Sequence, residues 1–229
     1  MGDQNKRRFA VPLAFLAFSL LYIAVALSLL RQWGSPHPWA RLDLYVAIFF
    51  VVSLLMAAQQ IVVAQAIPGS LLKEFYGQTF DPRMALGNAL LALGELSVFA
   101  DYGHWRLLPA LHHAFLQTLG LAAYLLAEIW LLWVDGYLLR NFAQATIRRQ
   151  LLTTGPFRLV RHPRYAGLLL TRVGFSLIFA SPLAWLFALG WWWLVLRRIR
   201  LEETHLADNF GDAYRAYAQG RPRLFPGIY

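Results

Sequence analysis

Gly155-Pro-Phe-Arg-Leu-Val-Arg-His-Pro-Arg-Tyr-Ala-Gly167 is a polar, cationic loop set between long apolar segments. A chain that buries most of itself in lipid has reason to keep an Arg-His-Pro-x-Tyr cluster at a membrane edge. Arg161 and His162 bring charge and hydrogen-bond donors. Pro163 fixes its own φ and restricts His162 before it. Tyr165 adds an amphipathic ring suited to the interface. Farther on, Arg197-Arg-Ile-Arg-Leu-Glu-Glu203 opens a tail ending Phe210-Gly-x-x-Tyr214-x-x-Tyr217.

The residues around these two motifs set the class. The chain has 229 residues, 59% of them hydrophobic and only 14% charged. Its mean hydropathy is +0.47. A soluble domain carries roughly 25% charged residues, and apolar runs here are long enough to span a bilayer. The expected class is all-α integral membrane: about four full spans plus a broken helical hairpin, with a cytoplasmic C-terminal cofactor site. Cysteine is absent, which excludes disulfides and thiolate chemistry. A net charge of +9 invites a nucleic-acid reading, but the basic residues flank apolar segments instead of forming a basic domain. No nucleic-acid partner is expected.

Phe9 to Leu30 is uncharged and follows Lys6-Arg7-Arg8, so it reads as the first span with its N-terminus in the cytoplasm. A cleaved signal peptide ending near Ala24-Val-Ala26 is the competing reading; the apolar run is long for one. Leu44 to Ile67 is the second span, closed by Pro68-Gly69. A polar loop covers residues 68 to 83. Met84 to Ala100 is a shorter third span containing Glu95, and Ala110 to Val134 is the fourth. Leu138 to Leu151 reads as an amphipathic helix, either continuing the fourth span or lying at the interface. Ala166 to Leu196 is too long for one span and breaks at Ser181-Pro182, which predicts a hairpin of two short helices. A polar tail with aromatic residues at helical spacing follows from Arg197. Of the 21 Lys and Arg, Arg31, Arg41 and Arg106 fall in outer loops and Arg172 in the hairpin, leaving 17 on the cytoplasmic side. That bias puts both termini and both motifs in the cytoplasm, in a plasma or inner membrane. The expected division is residues 1–135 as an N-terminal membrane region on the acceptor-cavity side, and 136–229 as the catalytic region.

Taken singly, the candidate groups allow bland readings. The Arg161-His162 loop also fits a positive-inside loop with His162 at the surface. Glu202 and Glu203 point about 100° apart on a helix, so they are not a paired acid/base dyad. One is expected to face inward and the other to meet solvent or Arg198. Arg198 and Glu202 also fit a surface i,i+4 pair. Gly211, Tyr214 and Tyr217 are expected to continue that helix as a packing stripe with Leu206 and Phe210. Glu95, Glu128 and Arg172 lie within the apolar segments, and pairing of Arg172 with Glu95 or Glu128 is the preferred reading. His112 and His113 are adjacent with no second ligand at helical spacing, so no metal is expected. No Rossmann, P-loop or serine-hydrolase motif is present.

The motifs together, Gly155-Pro-Phe-x3-Arg-His-Pro-x-Tyr-x-Gly167, a broken hairpin, Arg198-x3-Glu-Glu-x2-Leu206-x3-Phe-Gly-x2-Tyr-x2-Tyr217 and then Pro226, resemble the isoprenylcysteine carboxyl methyltransferase and phospholipid methyltransferase superfamily. The resemblance covers roughly residues 140 to 226. It implies a membrane-embedded methyltransferase using S-adenosylmethionine without a Rossmann domain. It implies cofactor contacts from Gln150, Leu151, Leu152, Gly155, Phe157, Arg161, His162, Pro163, Tyr165, Glu202 and Glu203. Arg198 is implied as the catalytic residue beside the methyl acceptor. Phe157 stands where the family often has Tyr, so a hydroxyl contact is lost there. The implied partners are the bilayer and a lipophilic small-molecule or lipid acceptor, either a carboxylate as in isoprenylcysteine or a lipid amine. The absence of an evident general base favours a carboxylate or an already neutral nucleophile. The competing readings are an NADPH-dependent sterol or lipid reductase, with Arg148, Arg149 and Arg158 meeting the 2′-phosphate, and a non-catalytic membrane protein.

Overall fold

The computed structural model describes residues 17–40, 42–66, 82–148 and 150–225. All the regular elements in that range are helical. The principal ones are α1 (Ala17–Leu30), α2 (Leu44–Ala66), α3 (Pro82–Ala100), α4 (Ala114–Ile147), α5 (Pro163–Phe179) and α6 (Pro182–Gln219). Two stretches, Leu44–Val63 in α2 and Ala114–Phe142 in α4, are long and apolar enough to cross a membrane. The part of the expected first span before Ala17, the residue Ile67 and most of the polar loop at 68–83 lie outside the described residues.

Local chemistry accounts for the helix starts. The Asp43 carboxylate accepts from the Val46 amide at 3.0 Å, capping α2. Pro163 and Pro182 occupy first-turn positions of α5 and α6, where a missing N–H costs nothing. Ser181 caps α6 through its hydroxyl and Leu183 N. The turn between them is made by Ala180 in the left-handed region. The break at Ser181-Pro182 is therefore where the sequence puts it.

The core lies where α2, α3, α4 and α5 meet. Phe49 packs against Tyr124 with ring centroids 5.1 Å apart, Phe99 against Phe179 at 5.0 Å, and Phe175 against Phe179 at 4.8 Å. Such tilted and edge-on pairs fix side-chain geometry beyond simple area burial.

One expectation is met in the first of its two forms and two are revised. The Leu138 segment continues the fourth span as the end of α4, which runs for 34 residues, about 51 Å at 1.5 Å per residue. That is longer than a hydrocarbon core of about 30 Å. The second arm of the hairpin is not short: α6 continues for 38 residues through Arg197 and both glutamates to Gln219. Nor do Tyr214 and Tyr217 continue a regular helix, because Gly211 (φ 52°, ψ −125°) kinks it. The kink turns both tyrosines onto Val134, Leu138, Phe142 and Leu206.

Candidate cofactor site

The motif loop is fixed before any charged group is placed. Gly155 sits at φ +60°, and a Cβ there would lie 2.5 Å from the Tyr137 ring. Only glycine meets both conditions. Gly155–Arg158 then forms a short 3₁₀ turn with Pro156 buried. The Phe157 carbonyl accepts from the Tyr217 hydroxyl at 2.8 Å. The Arg161 and His162 amides donate to the Pro222 and Arg223 carbonyls, both at 2.9 Å. Trp130 Nε1 donates to the Pro163 carbonyl at 2.7 Å. The loop is thus held by α4 on one side and by the chain after α6 on the other.

Two carboxylates from α6 meet this loop. Glu202 accepts from the Tyr165 hydroxyl at 2.7 Å and from Arg198 Nε at 2.9 Å. Glu203 accepts from Arg161 at 2.7 Å and from Arg223 at 2.9 Å. His162 lies between them, with Nε2 3.3 Å from Glu203 and Nδ1 3.9 Å from Glu202. Both glutamates are buried. Of the two partners expected for the second carboxylate, solvent or Arg198, the structure shows Arg198, on Glu202; α6 lays both sides of this turn against the loop, and each carboxylate finds cationic donors there. The Arg198–Glu202 pair is not a surface pair, since both side chains are largely covered.

The electrostatics follow from the partners. Burial opposes ionisation of Glu203, but hydrogen bonds from His162 and Arg223 and the Arg161 charge outweigh it and bring its pKa down to about 2. Burial and the Glu202 charge push the Tyr165 hydroxyl well above its usual range, so it stays a donor. Burial works against the Arg198 charge, while Glu202 more than compensates and raises its pKa. Burial, then the Glu203 charge, pushes Tyr214 up to about 12. Three guanidiniums face two carboxylates in this cluster. Arg161 Nε and the Tyr214 hydroxyl are buried without a hydrogen-bond partner.

Of the sequence-predicted residues, Arg161, His162, Tyr165, Arg198, Glu202 and Glu203 converge. Gly155 and Pro163 shape the loop. Leu151, Leu152 and Phe157 lie together in the adjoining apolar cluster with Tyr214 and Tyr217. Gln150 is exposed and outside the charged cluster. Sequence reasoning missed Arg223, which reaches Glu203 only because the chain folds back after α6. It also missed Asp135, fully buried on α4, which accepts from Arg164 Nε at 3.1 Å, Gln59 at 3.1 Å and Gln60 at 2.8 Å. Arg172 pairs with Glu95, as expected, and Tyr22 donates to the other Glu95 oxygen at 2.5 Å.

Residues 114–213 match the family model described as phospholipid methyltransferase. A probable protein-S-isoprenylcysteine O-methyltransferase of Oryza sativa subsp. indica is 40% identical over 73 residues, 31% of this chain and 38% of that protein. Protein-S-isoprenylcysteine O-methyltransferase B of Arabidopsis thaliana is 32% identical over 122 residues, 51% of this chain and 62% of that protein. The Schizosaccharomyces pombe protein-S-isoprenylcysteine O-methyltransferase is 37% identical over 81 residues, 34% of each. The matches span less than two thirds of each relative's length. The region that carries the loop, the hairpin and both glutamates, residues 114–213, is thus similar to phospholipid methyltransferases and to protein-S-isoprenylcysteine O-methyltransferases.

Proposed function

We propose that the chain is an integral-membrane methyltransferase that moves a methyl group from S-adenosylmethionine to a lipophilic acceptor. The observation that carries this is the cluster of Glu202, Glu203, Arg161, Arg198, His162 and Tyr165 within the matched residues, joined by Arg223 from the chain after α6. Its donor set suits a zwitterion. Glu202 or Glu203 receives an ammonium, and Arg161, Arg223 or His162 receives a carboxylate. Arg161 Nε, a buried donor without a hydrogen-bond partner, is available for a further acceptor oxygen. The excess of guanidinium over carboxylate also favours an added anionic group.

When bound, S-adenosylmethionine would supply an electrophilic methyl carbon on its sulfonium, with Glu202 or Glu203 and Arg161, Arg223 or His162 holding its charged end. What the chain contributes is alignment. Arg198, held by Glu202, stands at the start of the tail beside the acceptor. Tyr165 and His162 fix the carboxylates that hold the donor. Positioning of this kind supplies several kcal/mol toward a displacement. The acceptor enters from the bilayer on the N-terminal side. The donor enters from the cytoplasm, where the excess of basic residues places both motifs.

Binding of S-adenosylmethionine and of NADPH to the purified full chain, measured side by side, tests the reading. We expect saturable S-adenosylmethionine binding displaced by S-adenosylhomocysteine. NADPH binding alone would replace it with the reductase reading, and binding of neither with a non-catalytic one.

A further inference from the structure

Helix α2 lies outside the matched residues, yet it reaches the motif loop. Gln60 on α2 accepts from Arg164 Nη2 at 2.7 Å, and its own Nε2 donates to Asp135 Oδ2 at 2.8 Å. Arg164 Nε donates in turn to the other Asp135 oxygen at 3.1 Å. These three side chains close a ring across α2, α4 and the first turn of α5. Gln59 adds a further bond to Asp135 at 3.1 Å. A polar network whose members all find partners is rigid, and this one spans three elements.

Arg164 is the link that matters for the site. The motif Arg-His-Pro-x-Tyr leaves its position open. In the first turn of α5 a cation opposes the helix macrodipole. Asp135, wholly buried, offsets that with the opposite charge. The neighbours of Arg164 are the residues that build the charged cluster. Pro163 gives its carbonyl to Trp130, Tyr165 donates to Glu202, and His162 lies between both glutamates. A backbone shift at Arg164 is therefore passed to Tyr165 and His162 together.

The other end of the ring belongs to a different part of the molecule. Phe49, Phe50, Ser53 and Ala57 of α2 line a cavity of about 400 Å³, and Gln60 follows Ala57 on the same helix face. The helix that walls this cavity thus also holds the loop. We propose that Gln60 is a positioning residue: acting through Arg164, it lets α2 set the placement of the Arg161–Tyr165 segment, and with it the donor affinity of the site. The step to the donor rests on the methyltransferase reading; the placement of the segment does not.

The test uses the full chain in nanodiscs. Hydrogen exchange of the Arg161 and His162 amides, which donate to the Pro222 and Arg223 carbonyls, reads the placement without any ligand. It is measured in the wild type, Gln60→Leu, Arg164→Met and the double variant. Exchange across Phe175–Phe179 and the thermal melt report folding. S-adenosylmethionine titration of the same preparations reads the donor site. In Gln60→Leu we expect exchange of the two amides to rise ~5-fold and S-adenosylmethionine affinity to fall ~5-fold, the worth of one hydrogen bond, with the folding controls unmoved. Added to Arg164→Met, Gln60→Leu should change neither quantity further. Unchanged loop exchange in Gln60→Leu, additive effects in the double variant, or equal loosening of the Phe175–Phe179 core would each overturn the proposal. Faster loop exchange with unchanged S-adenosylmethionine affinity would overturn the step to the donor. Non-additive loop exchange in a chain that binds no S-adenosylmethionine would sink the methyltransferase reading and leave the positioning role of Gln60 standing.

Discussion

Glu202 and Glu203 are neighbours on α6, yet each is held by its own pair of donors. Tyr165 and Arg198 serve the first, Arg161 and Arg223 the second. This division makes the residues separable by mutation. Tyr165→Phe removes one hydrogen bond from Glu202 and leaves the Arg198 pair. A loss of ~1 kcal/mol, or ~5-fold in S-adenosylmethionine affinity, is expected by calorimetry. An unchanged affinity would take Tyr165 out of the site. Glu203 gives a pH prediction. Its folded pKa of about 2 lies below the ordinary 4.5, so its contribution to stability is complete above 4.5 and is lost as pH falls toward 2. Thermal melts should therefore show an acid loss in the wild type that is smaller in Glu203→Gln. Parallel profiles would mean that the Glu203 ion pairs add nothing. Much of this was legible in sequence, because Arg161, His162, Arg198 and both glutamates sit in two short motifs whose spacing is local. Arg223 was not, since nothing near Arg221-Pro-Arg223 signals that its partner lies on the far side of a kink.

At the scale of elements, three segments are stapled through one carboxylate. Asp135 of α4 bonds Gln59 and Gln60 of α2 and Arg164 of the motif loop. Asp135→Ala removes the shared acceptor of three partly exposed donors, at about 1 kcal/mol for each hydrogen bond lost, and frees the loop from α2. A lowered melting temperature with weakened S-adenosylmethionine binding is expected, although Asp135 is outside the charged cluster. Gly211 makes a second test. Its φ of 52° with ψ of −125° is open to glycine and strained for any other residue, while a Cβ there would meet no atom within 4 Å. Gly211→Ala should cost ~1–3 kcal/mol through the backbone alone and loosen the Tyr217 link to Phe157. A neutral Gly211→Ala would show that the kink is not required. The hairpin break was readable because Ser-Pro is local chemistry. The lengths of α4 and of α6 up to Gly211 were not, because polarity rises along each helix with no proline to end it, and tertiary packing carries them on.

The whole molecule joins a region that matches the phospholipid methyltransferase model, residues 114–213, to N-terminal helices that line most of a cavity of about 400 Å³. The proposed orientation puts the loop in the cytoplasm. The chain has no cysteine, so Gln150→Cys would introduce a single, exposed thiol beside the loop. A membrane-impermeant thiol reagent should label it in inside-out vesicles and not in intact cells; the reverse would invert the topology. The apolar runs made the helical class legible in the sequence, and their basic flanks are the basis of the proposed orientation. The sequence did not reveal the cavity, because Glu95, Glu128 and Arg172 come from three helices and only packing shows which carboxyl the arginine takes.

The most direct test of the central claim is a calorimetric titration of S-adenosylmethionine into the purified wild type and Glu202→Gln, each first shown to be folded by its melt. The account predicts saturable binding to the wild type and an affinity at least ~10-fold weaker in the variant, the cost of losing one charge-assisted contact. Equal affinity in the two proteins would contradict it, and the cluster of Glu202, Tyr165 and Arg198 would then be a structural ion-pair network only.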